Sequence, residues 1–514
     1  MATGFNAAEY LLSAGRPDAT AVVSPGRSLT YAELAEESRR VAGGLVELGV
    51  RPEERVMFCM VDDVELLTGI LGAMLAGAVA VPVSTMVTGP ELGQVLADSR
   101  ARVLCVSGEF AGQALTALEL APEVTDVVLD RCDAAGFGVR THDWPSLAGA
   151  LPSGRTWEDS PALWLYTSGT TGQPKGAMHR HASIRAVCET YARGVLATTP
   201  ADRFLSVPKL FFAYGLGNSC FFPLGAGGTT LLEPSRPTPA LFAKRAREER
   251  PSLFFAVPTF YAALLASDVP DDSFSSVRYA VSAGEPLPAS LFERFRARFG
   301  LAILDGIGST EALHIFLSNQ PGSVRPGSTG VPVPGYSVQL RDETGAVIDA
   351  AGKPGELFVA GPSTATGYWA RYEATKLVFQ GEWLRTGDSY VRNEDGTFSC
   401  LGRFGDMLKA GGIWVSPSEV EERLRQHPAV AEVAVVAAPD ADGLDKPVAC
   451  IVPAPGFAVD PDELIEFCRE GLAAFKRPRG VVELAELPKT ATGKIRRNVI
   501  RELVRDSLRT VPSS

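Results

Sequence analysis

The sequence is poor in the residues that build metal centres. It has five histidines in 514 residues. Only His179 and His181 stand close together, and no HExxH spacing exists. The eight cysteines are scattered with no CxxC pair. A zinc ribbon and a dithiol redox motif are therefore not readings of this chain, and reduced thiols in a cytoplasmic protein are the expectation. Positive charge is in deficit: 49 Lys and Arg face 60 Asp and Glu, for a net charge of −11. Nucleic acids and anionic membranes both require a basic face, so neither is an expected partner. The first residues, Met-Ala-Thr-Gly-Phe-Asn, do not join a basic stretch to an apolar run, so no leader is expected. The longest uncharged stretch, Leu66 to Pro90, is broken by Gly69, Gly72, Gly77 and Pro82. It predicts a buried helix near 64–76 and a buried strand near 78–84, not a membrane span.

Hydrophobic residues make up 46% of the chain and charged residues 21%, an ordinary globular balance. The length allows about three domains, or two with one large. Short apolar runs alternate with helical patterns. Val56–Met60, Ala78–Val83, Val103–Val106, Leu163–Tyr166, Arg203–Val207, Leu253–Val257 and Arg278–Val281 all read as buried strands. Such alternation means βαβ units and mostly parallel sheets in an α/β fold. Thr30 is placed to cap a helix bearing Leu34, Val41, Leu45 and Leu48. From about 329 to 400 the texture becomes β-rich, with a hairpin turn at Asp395-Gly396. After Arg403, Ser416-Pro417-Ser418-Glu419 reads as a capping box with Pro at the first helical position. Strands at 431–437 and 447–452 and helices at 462–474 and 497–508 follow. The expected organisation is a large domain over 1–402 and a small α+β domain over 403–514.

The strongest chemical signal is Thr167-Ser168-Gly169-Thr170-Thr171-Gly172-Gln173-Pro174-Lys175-Gly176. It follows an apolar strand. Ahead of it lies a helical pattern with Ile184, Val187, Tyr191 and Val195. A strand, a Gly/Ser/Thr loop with one lysine and then a helix start make a polyphosphate cradle: glycines let backbone N–H groups converge, and hydroxyls and the ammonium add donors. It is not a Walker A loop, because no Gly-Lys-Ser/Thr follows the second glycine.

This string resembles the phosphate loop of the acyl-adenylate-forming superfamily, which includes acyl- and aryl-CoA ligases and nonribosomal adenylation domains. Four further motifs follow in the family's order: Gly308-Ser309-Thr310-Glu311, Thr386-Gly387-Asp388, Gly402-Arg403 with Asp406 and Lys409 behind it, and Pro488–Lys494. The resemblance covers essentially the whole chain. It implies that a carboxylate attacks the α-phosphate of ATP to give an acyl-adenylate and pyrophosphate, and that a thiol then displaces AMP. It implies ATP, Mg²⁺ and coenzyme A as cofactors, and a small C-terminal domain that is mobile about a hinge near 403–406. The family often has Asp or Lys two residues after the hinge arginine. Here that position is Gly405, which leaves Gly405 and Asp406 as alternative pivots.

The resemblance also implies roles. Glu311 matches the glutamate that organises Mg²⁺, as suits a hard oxygen donor, and Thr310 would donate to the α-phosphate. Thr167 to Gly172 and Lys175 would hold the phosphates. Asp388 would take the ribose hydroxyls, with Arg403 beside it. Ser282, Ala283, Gly284 and Glu285, with Asp305, Gly306, Ile307 and Gly308, would wall the adenine. Lys494 would bridge carboxylate and phosphate during adenylation. Lys409 would enter for thioester formation, with Gly411 and Gly412 lining a pantetheine path.

Lys209–Asn218 and Glu311–Asn319 resemble benzoate-CoA ligases more than acetyl- or fatty acyl-CoA ligases. Phe212, Ala213 and Tyr214 would form a flat apolar slot with one hydroxyl, which suits an aromatic ring. His314 either meets the ring edge or caps a loop. The expected function is ATP-dependent ligation of benzoate, or a small substituted benzoate, to CoA. One alternative is a stand-alone enzyme loading the same acyl group onto a carrier protein. Another, from a different class, is a catalytically silent nucleotide-binding protein. A homodimer is compatible with either enzyme reading.

Overall fold

The computed structural model describes residues 4–133, 135–150, 156–168, 174–404, 408–410, 413–439, 445–472, 476–489 and 495–509, with backbone alone at 168, 408–410, 413–414, 439, 445, 498 and 506–509. The chain divides into two compact units, Met1–Val338 with Val359–Arg385, and Gln339–Phe358 with Thr386–Ser514.

The first unit contains two large sheets. One has seven strands in the order Arg140–Asp143, Asp126–Asp130, Val103–Ser107, Arg55–Cys59, Val79–Pro82, Pro161–Ser168, Pro174–Arg180. All neighbours are parallel except the last pair. The other has nine strands. Its centre is a parallel run through Ile303–Gly308, Tyr279–Ser282, Leu253–Ala256, Arg203–Ser206, Thr229–Leu231 and Thr20–Ser24. Antiparallel strands flank that centre on both sides. Strands buried on both faces need no alternation, which is why these runs read as continuous apolar stretches. The expected α/β architecture with mostly parallel sheets is the one observed.

Local details follow the sequence closely. Helix Tyr31–Glu47 starts at a capping box made by Thr30 and Glu33. Helix Val64–Leu75 is buried along its length apart from Glu65, and strand Val79–Pro82 follows it. Among the described residues no helix is long and apolar enough to cross a membrane. The described cysteines are free thiols, most of them buried.

In the second unit, strands Val430–Pro439, Asp445–Pro453 and Gly480–Glu483 form one sheet. Side chains alternate across it with a period of two. Val433 and Val435 pack with Leu424 and Leu464 on one face. Ala434 and Val436 pack with Ile500 and Val504 on the other. The turn at Asp395-Gly396 joins strands Trp383–Arg392 and Phe398–Arg403 as expected.

Two local expectations fail in the second unit. Ser416 does precede helix Pro417–Leu424, but its hydroxyl makes no cap and instead donates to the Leu401 carbonyl. Glu419 pairs with Lys476 rather than reaching back. The tertiary partners outcompete the local box. The helix expected at 462–474 runs Pro461–Arg469 and yields to a turn at Gly471.

Candidate active site

The elements flanking residues 169–173 differ from the expected strand-loop-helix. Strand Pro161–Ser168 turns back into a second strand, Pro174–Arg180, and only then does helix His181–Val187 begin. Thr167 and Lys175 are register partners across this antiparallel pair. Lys175 therefore stands on a strand at the mouth of the loop. The loop residues Gly169, Thr170, Thr171 and Gly172 lie outside the described residues, as does the Ser168 side chain. The outer edge of Pro174–Arg180 is not bare. Met178 N–H donates to Gly367 O at 3.0 Å, and Trp369 N–H donates to Gly176 O at 2.9 Å. An edge strand covered in this way is held in register.

That same segment fixes Thr310 and Glu311. The turn 309–313 is held by backbone-directed bonds. The buried His179 ring donates Nε2–H to Thr310 O at 2.8 Å, and Ala365 N–H donates to Glu311 O at 2.8 Å. Ser363 Oγ donates to Ala312 O at 2.5 Å, and Leu313 follows at φ +69. Burial lowers the His179 pKa to about 4, so the ring is a neutral donor. Tyr368 completes the support. Its hydroxyl donates to Glu311 Oε1 at 2.6 Å, and its ring lies 5.7 Å from the Lys175 ammonium. Burial first, and then the Glu311 charge, raise the Tyr368 pKa, keeping the hydroxyl protonated. Glu311 Oε2 has no protein partner among the described residues. A single carboxylate fits Mg²⁺, which keeps waters and phosphate oxygens in most of its coordination positions. Among the described residues no group of three or more ligating side chains could hold a metal.

Ser282 and Asp305 are register neighbours on adjacent parallel strands, both buried. Ser282 Oγ and Asp305 Oδ1 are buried without a partner among the described residues. Such orphaned atoms are what a polar ring edge requires. Desolvation raises the Asp305 pKa well above the carboxylate range. Gly284 and Glu285 follow, and Glu285 accepts from Thr259 Oγ1 at 2.8 Å.

On the other side, Phe212, Ala213 and Tyr214 lie at the start of helix Ala213–Leu216, and all three are half-buried. The Tyr214 hydroxyl donates to Val281 O at 3.0 Å. The one hydroxyl of the expected slot is thus bonded to the backbone of strand Tyr279–Ser282. His314 caps no loop. It is 3% exposed, its ring centroid lies 4.4 Å from Phe222, 5.5 Å from Tyr214 and 5.6 Å from Tyr191, and Nε2 donates to Asn218 Oδ1 at 3.2 Å. Burial drives its pKa down to about 3. Gly217 permits this packing, since a Cβ there would fall 2.2 Å from His314 Cδ2.

The second unit carries the remaining described candidates. Asp388 and Arg403 face each other across paired strands, with Arg403 Nη1 3.3 Å from Asp388 Oδ1 and 3.2 Å from Thr386 O. Lys409 lies on strand Leu408–Ala410, opposite Trp414. Lys494, Gly405, Asp406, Gly411 and Gly412 lie outside the described residues.

Three supporting residues were missed in the sequence. Tyr368 sits in an unremarked Gly-Tyr-Trp run. His179 carries no sequence signal beyond its nearness to His181. Asn218 lay within the pocket stretch without a role. Only the Gly-Tyr-Trp run, closing a string of small polar residues, offered a local signal.

The antiparallel strand pair flanking residues 169–173, the cradled Thr-Glu turn and the paired orphan polar atoms of Ser282 and Asp305 on adjacent parallel strands agree with the family match. The chain belongs to the AMP-binding enzyme family, whose model matches residues 12–369. The model of the AMP-binding enzyme C-terminal domain matches residues 419–494. The chain is 43% identical to a benzoate–CoA ligase of Thauera aromatica, over 97% of this chain and 96% of that one. It is 40% identical to a 4-hydroxybenzoate–CoA/benzoate–CoA ligase of Rhodopseudomonas palustris, over 97% and 94%. Among solved structures, a benzoate CoA ligase from Burkholderia xenovorans LB400 superposes with a TM-score of 0.86 at 42% identity, covering 97% of this chain and all of that one.

Proposed function

We propose that the chain is an ATP-dependent, AMP-forming aryl-CoA ligase acting on benzoate or a small substituted benzoate. The observation that carries this is the near full-length likeness to benzoate–CoA ligases, at 43% identity over 97% of the chain. The half-buried aromatic slot at Phe212–Tyr214, locked against His314, supports it.

In the first step a carboxylate oxygen of the acid attacks the α-phosphorus of ATP, and pyrophosphate leaves. Two anions approach each other, so fixed cations and donors lower the barrier. Lys175 and the loop 167–172 bind phosphate oxygens, and Thr310 donates to the α-phosphate. Ser282 and Asp305, with Ala283 to Glu285 and Gly306 to Gly308, receive the adenine. Asp388 and Arg403 take the ribose. Glu311 would hold Mg²⁺, which supplies charge neutralisation to the phosphates when bound. Lys494 neutralises charge as the P–O bond forms. In the second step the CoA thiol sulfur attacks the acyl carbon, the thiol proton is released and AMP departs. Lys409, with Gly411 and Gly412, serves this step. The proposal places the domain boundary at 402/403 and the hinge near 403–406, in a cytoplasmic enzyme that uses CoA and not a carrier protein.

An acid panel with ATP and CoA, read by AMP release, tests this. Benzoate and close ring analogues should have the highest kcat/KM, with one-methylene differences worth about 1–3 kcal/mol. A maximum at acetate or at a long fatty acid would overturn the aryl reading. Lys494→Ala should slow adenylation by orders of magnitude and largely spare thioester formation from supplied benzoyl-adenylate. Equal damage to both steps would remove its assigned role.

A further inference from the structure

Asp62 lies far from the site in sequence, in the turn between strand Arg55–Cys59 and helix Val64–Leu75. It is 7% exposed. Its Oδ1 accepts the backbone N–H of Leu210 at 2.6 Å. Its Oδ2 lies 3.9 Å from the Lys209 ammonium. Lys209 is itself mostly buried and donates to Glu233 O and, at 3.0 Å, to Ser235 O. A carboxylate and an ammonium removed from water are costly unless paired and hydrogen-bonded, and neither touches the slot. Their common effect is on the chain between them and the slot.

That chain has little freedom. Phe212 N–H donates to Lys209 O at 3.0 Å, and Leu216 N–H donates to Phe212 O at 2.8 Å. A Cβ on Gly215 would fall 2.0 Å from Lys209 O, so the segment 209–215 is folded tightly on itself. Once Lys209 and Leu210 are placed, Phe212, Ala213 and Tyr214 are placed. Asp62 is anchored in turn. Val61 N–H donates to Ser107 Oγ at 3.1 Å, and Asp63 caps its helix. The contact therefore ties the slot segment, which leaves the nine-stranded sheet, to the strand end of the seven-stranded sheet.

We propose that Asp62 is a positioning residue for the aromatic-acid slot, acting through the Leu210 N–H and the Lys209 ammonium. This rests on the aryl-CoA ligase reading. Burial, opposed by Lys209 and the Leu210 N–H, leaves the Asp62 pKa raised to about 6. The other charged groups facing it are Asp63 and Glu233. Asp63 is held by Ser24 Oγ at 2.7 Å, and Glu233 lies 3.6 Å from Arg245. Protonation of Asp62 weakens its hold on Leu210 and Lys209. The KM for benzoate should therefore rise as pH falls through about 6.

The test uses the whole 514-residue chain, measured with benzoate, ATP and CoA. Wild-type turnover of benzoate in this assay checks the ligase reading separately. Asp62→Asn should raise the benzoate KM about tenfold, leave the ATP KM within about twofold at pH 8, and abolish the step near pH 6. Lys209→Met should move that step to higher pH, because the ammonium that favours the carboxylate is gone. The double variant should be no worse than about twofold from the more damaged single one, as for residues acting as a unit. Two results would overturn the proposal: parallel increases in both KM values, or an unmoved pH step in Lys209→Met. If Asp62→Asn fails to fold, the shift in Lys209→Met decides alone.

Discussion

The two sides of the first unit's site use their polar atoms in opposite ways. On the proposed phosphate side the fold grips the backbone and leaves side chains available. His179, Ala365 and Ser363 bond to the carbonyls of Thr310, Glu311 and Ala312. The Thr310 and Glu311 side chains stay partly exposed. On the proposed acid side two polar groups are spent inside the protein, and the His314 Nδ1 beside them is buried without a partner among the described residues. The Tyr214 hydroxyl goes to Val281 O, and the His314 ring goes to Asn218. Where charge develops in a reaction, pre-aimed and available groups lower the barrier. Where a flat ring is recognised by shape, the walls must be stiff.

The largest expected effects set the two sides against each other. Glu311→Gln keeps the size and the Tyr368 contact but removes the charge. Adenylation, followed by pyrophosphate release, should fall about 10²–10³-fold, with Tm nearly unchanged because the side chain is not part of the core. His314→Ala should do the reverse. It empties a space between Tyr191, Tyr214 and Phe222, at a cost of about 2–4 kcal/mol in stability. Calorimetry should show a lower Tm, and the acid panel should show blunted discrimination among ring analogues. A stable His314→Ala beside an unfolded Glu311→Gln would erase the contrast.

This contrast also explains what could be read from the sequence. Thr310-Glu311 and the string from Thr167 to Gly176 stand out because hydroxyls, glycines and single charges are concentrated there. The parallel strands are legible because burial on both faces makes them uniformly apolar. The strand Pro174–Arg180 is not. Pro174-Lys175-Gly176-Ala177 has no β-branched residue, and the strand forms because Pro161–Ser168 and the segment 366–369 pair with its two edges. Strand preference of this kind belongs to the neighbours and not to the segment. The Ser416 cap fails for a similar reason, since the Leu401 carbonyl, fifteen residues away, takes the hydroxyl. An aromatic in a slot and an aromatic in a core have the same sequence signature, so the commitment of Tyr214 could not be read.

An intermediate effect is expected at Tyr368, where support and chemistry meet. Tyr368→Phe deletes a hydrogen bond to a charged group, worth about 1.5–3 kcal/mol. If that bond holds Glu311 in its reactive pose, adenylation should slow by about ten- to a hundredfold. More Mg²⁺ should then be needed for half-maximal rate, with the benzoate KM unchanged. An unaltered Mg²⁺ dependence would show that Glu311 needs no such orientation.

The smallest effect is expected at Tyr214, and it discriminates between the two readings of that hydroxyl. If the hydroxyl served the substrate, Tyr214→Phe would strand a buried polar group of the bound acid and raise its KM by tenfold or more. The structure argues otherwise. Val281 O accepts the Tyr214 hydroxyl at 3.0 Å, and it also accepts the Tyr261 hydroxyl at 2.8 Å. Removing the first leaves the carbonyl satisfied by the second. No buried acceptor is orphaned, and the ring that forms the wall is retained. The cost should stay below about 1 kcal/mol, the low end for a hydrogen bond whose loss strands nothing. The benzoate KM and the Tm of Tyr214→Phe should therefore both stay close to wild type. A tenfold rise in KM at unchanged Tm would return the hydroxyl to the substrate and make the acid side resemble the phosphate side.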